Sequence, residues 1–160
     1  MQIFLLRHGI AEDARPGQPD ASRALTEEGR DKLRRVLKRA RAAGVAPDAI
    51  LSSPLRRAIE TAEVAAEVLS YKGVVERIAA LEPDASPYDL WEAVRSRGDE
   101  TSQLLSGHEP LMSSMVAFLL DHPGMQVDMK KAALVRVDCD HTGPKPRGVL
   151  KWMITPAVSA

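Results

Sequence analysis

Three short segments of this chain hold residue types that together can handle a phosphoryl group. Arg7-His8-Gly9 sets a cation, a nucleophile usable at neutral pH and a residue without a side chain in one row. Imidazole attacks phosphorus through one ring nitrogen while the other donates the hydrogen bond that fixes tautomer and direction. Neighbouring arginines disfavour the imidazolium and keep the lone pair available, and the glycine lets a ligand come close to the backbone. In Ser53-Pro54-Leu55-Arg56-Arg57-Ala58-Ile59-Glu60-Thr61, Ser53 and Pro54 predict the cap and first position of a helix. The N–H groups at such an end, with an arginine fork beside them, suit an anion. Gly107-His108-Glu109-Pro110 adds a second imidazole at a strand-to-helix junction, where it could stabilise the equatorial oxygens of a transferring phosphoryl group. Taken singly, each segment also has an ordinary reading: a surface Arg–His pair, a capped helix with two solvated arginines, a capping histidine.

The elements around these segments bear on that choice. Ile3 to Leu6 is a short continuous apolar run, the pattern of a strand buried on both faces, so Arg7 and His8 fall at its carboxyl end. The polar stretch Glu12 to Arg23, with Pro16, Gly17 and Pro19, reads as a long loop. Thr26 caps a helix with Glu27 and Glu28 in its first turn and Leu33, Val36, Leu37 and Ala40 on one face, ended by Gly44. Ala49 to Leu51 is a second strand and Val74 to Ile78 a third. Ser86, Pro87 and Asp89 open a helix holding Leu90, Trp91 and Val94. Thr101 to Leu105 is a strand running out at Gly107 and His108, and Pro110 opens the next helix. Ala133 to Val137 and Val149 to Ile154 close the chain as strands. Alternating strands and helices predict a three-layer α/β/α sandwich around a mostly parallel central sheet of about five or six strands, with a single domain over residues 1–160. In such sheets ligands bind beyond the carboxyl ends of strands, where all three polar segments fall.

Bulk properties narrow the function further. Lysine plus arginine and aspartate plus glutamate both number 22, so no net field draws the chain to nucleic acid or to an anionic membrane. No apolar run approaches the roughly 20 residues of a membrane helix, and the first residues lack the pattern of a signal peptide. The single cysteine, Cys139, cannot form an internal disulfide, and a cytoplasmic location is the expectation. His8, His108, His122, His141 and Cys139 show no ligand-pair spacing, so neither a metal nor a cofactor is expected, and His122 and His141 read as solvated loop residues.

Read together, the three segments resemble the histidine phosphatase superfamily, also called phosphoglycerate-mutase-like, whose signature is an R-H-G strand end, a later arginine in S-x-x-x-R-A-x-x-T and a second histidine. Arg7, His8, Arg57 and His108 are the matching residues. The nearest resemblance is to the small SixA-type protein-histidine phosphatases. It rests on F-L-L-R-H-G-I-A-E near the start, R-A-L-T-E-E-G-R from Arg23, L-S-S-P-L-R-R-A-I-E-T-A from Leu51, S-G-H-E-P from Ser106 and L-K-W-M-I-T-P from Leu150. The resemblance implies that His8 takes the phosphoryl group, that Arg7, Arg57 and His108 form the charged pocket around it, and that water then releases phosphate. The implied partner is a phosphohistidine-bearing protein such as a phosphotransfer domain. Arg56 belongs to the helix surface, since the motif's arginine directly precedes the alanine. Arg23 is a further candidate for phosphate binding, with a structural salt bridge as its alternative role.

Many ester-cleaving members and the mutases carry Glu or Gln and then Ser or Thr after R-H-G, together with an acid for the leaving alkoxide. Here Ile10 and Ala11 stand in those places, and Glu82 and Asp84 lie in the region expected for such an acid, with helix-flanking solvation as their alternative role. Cleaving P–N in phosphohistidine expels an imidazole, a far better leaving group than a sugar alkoxide, and needs less help from an acid. The expected activity is therefore metal-independent phosphohistidine phosphatase. A small-molecule phosphomonoesterase comes next, a mutase below both, and a phosphate-binding module without catalysis is the reading from outside enzymes.

Overall fold

The computed structural model describes residues 1–140 and 142–159; His141 lies outside the described residues. Six strands form one sheet in the order β3-β2-β4-β1-β5-β6: β1 Gln2–Arg7, β2 Ala49–Ser52, β3 Glu76–Arg77, β4 Ser102–Gly107, β5 Leu134–Cys139 and β6 Gly148–Ile154. Four helices flank it: α1 Glu27–Ala42, α2 Arg56–Val68, α3 Pro87–Arg95 and α4 Leu111–Leu119.

The alternation of side chains along β1 divides the core in two. Phe4 and Leu6 face a layer built by Leu33, Val36, Leu37 and Ala40 of α1 with Ala62 and Ala65 of α2. Ile3 and Leu5 face Leu90, Trp91 and Val94 of α3 with Met112, Met115 and Val116 of α4. Every residue from Ile3 to Leu6 is fully buried, as a strand covered on both faces must be. The three-layer α/β/α arrangement is the expected one.

The sheet departs from the expectation in one respect: it is mixed. β1 pairs with β4, β4 with β2 and β2 with β3 in parallel, whereas β5 is antiparallel to both β1 and β6. The segment between β5 and β6 is too short for a crossover helix, so the chain can only turn back beside itself.

Local boundaries differ too. The expected third strand contracts to Glu76–Arg77 at the sheet edge, where both residues are exposed and one hydrogen-bonding side is left to water. The loop from Glu12 holds a 3₁₀ turn at Asp20–Ser22. Thr26 caps α1 by accepting from the Gly29 N–H, and Gly44 ends it with φ 83°. Ser86 caps α3 through the Asp89 N–H. Pro110 stands just outside α4 as its cap residue. No described helix is long and apolar enough to cross a membrane.

Candidate active site

Strand register brings the three polar segments to one edge. Arg7 pairs with Gly107 across β1 and β4, and Ser52 pairs with Ser106 across β2 and β4. The ladder continues one step further, as the His8 N–H donates to the Gly107 carbonyl at 2.9 Å and the Ser53 N–H to the Ser106 carbonyl at 3.0 Å. His8, Ser53 and His108 therefore leave three adjacent strands at the same level.

The two imidazoles lie 5.2 Å apart between ring centroids, inclined at 57°, and both are buried, His8 being 8% and His108 2% exposed. His8 Nδ1 is 2.7 Å from the Gly9 carbonyl oxygen. That oxygen can only accept, so Nδ1 carries the proton and Nε2 keeps its lone pair. Burial, reinforced by Arg57, Arg7 and Lys131, holds the His8 imidazolium off until pH about 4, against the pull of the Gly9 carbonyl. Burial and the charges of His8 and Arg57 push His108 down to about 3.

His108 Nε2 is 2.8 Å from Ser53 Oγ, which also accepts from the Leu55 N–H at 3.2 Å. Where that hydroxyl donates to Nε2, the tautomer assigned to His108 has its proton on Nδ1. Nδ1 is buried and without a partner among the described residues, as are Arg7 Nε and Arg57 Nε. Buried donors left unpaired cost free energy unless something else accepts from them. An anion carrying several oxygens supplies such acceptors.

The arginines are held from behind. Arg7 donates to the Met129 carbonyl at 2.7 Å. The Arg57 side chain is 7% exposed, and its guanidinium meets Asp20 through the carbonyl oxygen and Oδ2, each at 3.1 Å. Arg56, one residue earlier, is 57% exposed and lies 3.6 Å from Glu60. Arg23 bonds Asp20 Oδ1 and the Glu12 carbonyl, both at 2.9 Å, and so stands one link outward from Arg57.

Two expectations need correction. α2 begins at Arg56 with Leu55 as its cap residue and no side-chain cap; Ser53 and Pro54 lie ahead of the helix, and the Ser53 hydroxyl is committed to His108 instead. The space beside Gly9 is also taken. A Cβ there would stand 2.8 Å from Leu33 Cδ1 and 3.2 Å from the Gly29 carbonyl oxygen, so this glycine admits α1 rather than a ligand.

Sequence reasoning missed Thr61. Its Oγ1 donates to the Arg57 carbonyl at 2.7 Å and accepts from the Gly9 N–H at 3.1 Å, tying α2 to the β1 strand end. Of the two acids, Glu82 is half-buried directly after Leu81, which packs at Gly107, while Asp84 is exposed. His122 is exposed, and no group of residues able to hold a metal ion occurs among the described residues.

These environments make a titration prediction. Both imidazoles should remain neutral in the free protein down to about pH 5, visible as unshifted ring ¹⁵N resonances, with His8 protonated at Nδ1. Because the unfolded chain takes up these protons near 6.5 and the folded one only near 4 and 3, the two imidazoles should leave stability unchanged from pH 6.5 to 8 and lower it as the pH drops below 6.5. A midpoint near 6.5 for His8 would contradict the buried, arginine-flanked geometry.

Comparison with known proteins agrees with the geometry. The profile of the histidine phosphatase superfamily (branch 1) matches residues 3–82, which include Arg7, His8 and Arg57 but not His108. An uncharacterized protein of Picosynechococcus is 30% identical over 141 residues, 84% of this chain and 83% of that one. The structure of the protein histidine phosphatase SixA complexed with tungstate superposes with a TM-score of 0.85 at 28% identity over 98% of both chains. A candidate phosphohistidine phosphatase SixA from Agrobacterium tumefaciens gives 0.78 at 22% identity over 97% of this chain and 98% of that one. With two facing imidazoles and two arginines at one sheet edge inside the matched fold, the chain belongs to the histidine phosphatase superfamily, as a phosphatase of the SixA type.

Proposed function

We propose that the protein is a metal-independent phosphohistidine phosphatase acting on phosphohistidine in proteins of the cytoplasm, with His8 as nucleophile. The observation that carries this reading is the buried His8 imidazole, its Nδ1 2.7 Å from the Gly9 carbonyl oxygen, beside buried nitrogens of Arg7, Arg57 and His108 that have no partner among the described residues. His8 Nε2 attacks the phosphorus, the P–N bond to the substrate imidazole breaks, and that imidazole leaves with a proton from water. Arg7, Arg57 and the His108 Nδ1–H hold the equatorial oxygens as charge shifts onto them, and Arg23 supports Arg57 through Asp20 at the outer edge. A water molecule then attacks the phosphorus of phospho-His8, returns Nε2 its lone pair and releases phosphate.

The choice of substrate rests on the leaving group. Ile10 and Ala11 offer no polar contact to a sugar ring, and no described acid is bonded into the histidine pair, so an alkoxide would depart with little assistance. An imidazole departs without it.

The test compares phosphate release from a histidine-phosphorylated protein, an aryl phosphate and a sugar phosphate. The first two should turn over and the third should be slowest, by about 100-fold or more, the usual worth of a general acid. Activity should persist in EDTA, since arginines and an imidazole supply the charge a metal would. Activity confined to sugar phosphates, or lost to the chelator, would overturn the reading.

A further inference from the structure

The two cores, the sheet edge and the histidine pair leave one strongly charged feature without a role. A groove of about 710 Å³ starts at Arg7 and runs outward between α1 and the segment before β5, lined by Lys32, Arg35, Lys130 and Lys131 and closed by the turn after β6 at Thr155–Ala157. In a chain whose charges balance at 22 each, five cations on one groove are a local excess. Glu28 and Asp128 offset part of it by pairing with Lys32 at 3.0 Å and Lys130 at 2.9 Å. Neither Arg35 nor Lys131 has an ion pair within 4.0 Å among the described residues.

The placement is fixed by the same contacts that build the site. Lys32 and Arg35 are three apart on α1 and share a face, and Gly9 and Gly29 let that helix pack against the backbone just after His8. Lys130 and Lys131 follow Met129, the acceptor of Arg7, while the Ala132 N–H bonds the Arg7 and His8 carbonyls, both at 3.2 Å. The row of cations is thus anchored to both sides of the nucleophile's strand end.

Resting on the phosphohistidine reading above, we propose that this groove is the docking surface for an acidic face of the protein that presents the phosphohistidine. A second anionic group on a small metabolite fits less well. The cations beyond Arg7 are long side chains from separate elements, with Arg35, Lys130 and Lys131 exposed and Lys32 half-buried, able to meet carboxylates spread over a surface but not to enclose one small anion. Such a surface speeds encounter and sets orientation, and does so less as salt is added.

The test uses three substrates, a histidine-phosphorylated phosphotransfer domain of net negative charge, a short phosphohistidine peptide with no other charged side chain and an aryl phosphate, with a small bisphosphate run beside them. Arg35→Glu combined with Lys130→Glu is compared with a reversal outside the groove, Lys72→Glu with Lys145→Glu. Wild type should prefer the domain in kcat/KM, with a preference that falls as ionic strength rises. The groove reversal should cut kcat/KM for the domain by about tenfold or more and leave the peptide and an aryl phosphate unchanged, whereas the outside reversal should spare all three.

Equal loss on peptide and domain, equal effects of the two reversals, or no preference in wild type would overturn the docking surface while leaving the phosphohistidine reading intact. A groove reversal that instead weakens only a small bisphosphate would assign the groove to a metabolite. Wild type that cleaves the aryl phosphate but neither phosphohistidine substrate would bring down the substrate reading, and the docking surface with it.

Discussion

Replacing His8 with alanine should remove both turnover and the covalent intermediate. Brief mixing of the wild-type protein with substrate and quenching in alkali should trap phosphate on the chain, because N-phosphoryl histidine survives base and is lost in acid. In His8→Ala the label should be absent, and kcat should fall by four orders of magnitude or more, roughly the loss when a nucleophile is deleted elsewhere. The side chain is buried at a strand end and, among the described residues, its one polar contact is with the adjoining carbonyl, so the far-ultraviolet circular dichroism should be unchanged. His108→Ala should behave differently. It removes a donor to the developing charge and leaves the attacking atom, so it should still label, more slowly by about 10²- to 10³-fold. Phosphate found on His108, with His8→Ala labelling normally, would exchange the two roles and end this mechanism.

Much of that site is legible in the sequence. An unbroken apolar run from Ile3 to Leu6 can hardly be other than a strand buried on both sides, and this placed His8 at its end. The pairing of Arg7 with Gly107 then realised what the spacing of three polar segments had implied. Other features were hidden for physical reasons. Ser53 looks like a cap because Ser-Pro before an apolar helical pattern usually is one. Only the neighbouring β4 strand brings His108, 55 positions later in sequence, within reach of its hydroxyl.

The glycine of the first motif misled in the same way. A missing side chain reads as room for a ligand, while the long-range packing of Leu33 fills that room. Thr61 could have been suspected, since it recurs in the motif that carried the resemblance, but its double hydrogen bond joins α2 to the residue after His8 across 52 positions, a distance at which local pattern is silent. The direction of β5 was hidden because periodicity distinguishes strand from helix but not parallel from antiparallel; the shortness of the link to β6 bears on that pair alone and not on the pairing of β5 with β1.

The adjacent arginines provide the sharper test of register, because they differ in environment and hardly in chemistry. Arg57→Ala should lower kcat/KM for any phosphoryl substrate by on the order of 10³-fold, the scale of an arginine aimed at a transferring phosphoryl group, while Arg56→Ala should change it by less than about twofold, as for an exposed charge in a surface pair. The difference comes from one step of helical rotation, which turns the Arg57 side chain inward to 7% exposure beside Asp20 and leaves Arg56 at 57% exposure over Glu60. Arg57→Lys should recover only part of the loss, since an ammonium restores the charge but not the planar fork that keeps Nε directed inward while the outer nitrogens hold Asp20. Thermal unfolding keeps the comparison honest: removing Arg57 also leaves Asp20 without a partner on α2, yet that carboxylate is 61% exposed and still paired with Arg23, so the melting temperature should move little. Equal losses from the two alanine variants, with both proteins folded, would mean that the motif's arginine has been placed on the wrong face of α2.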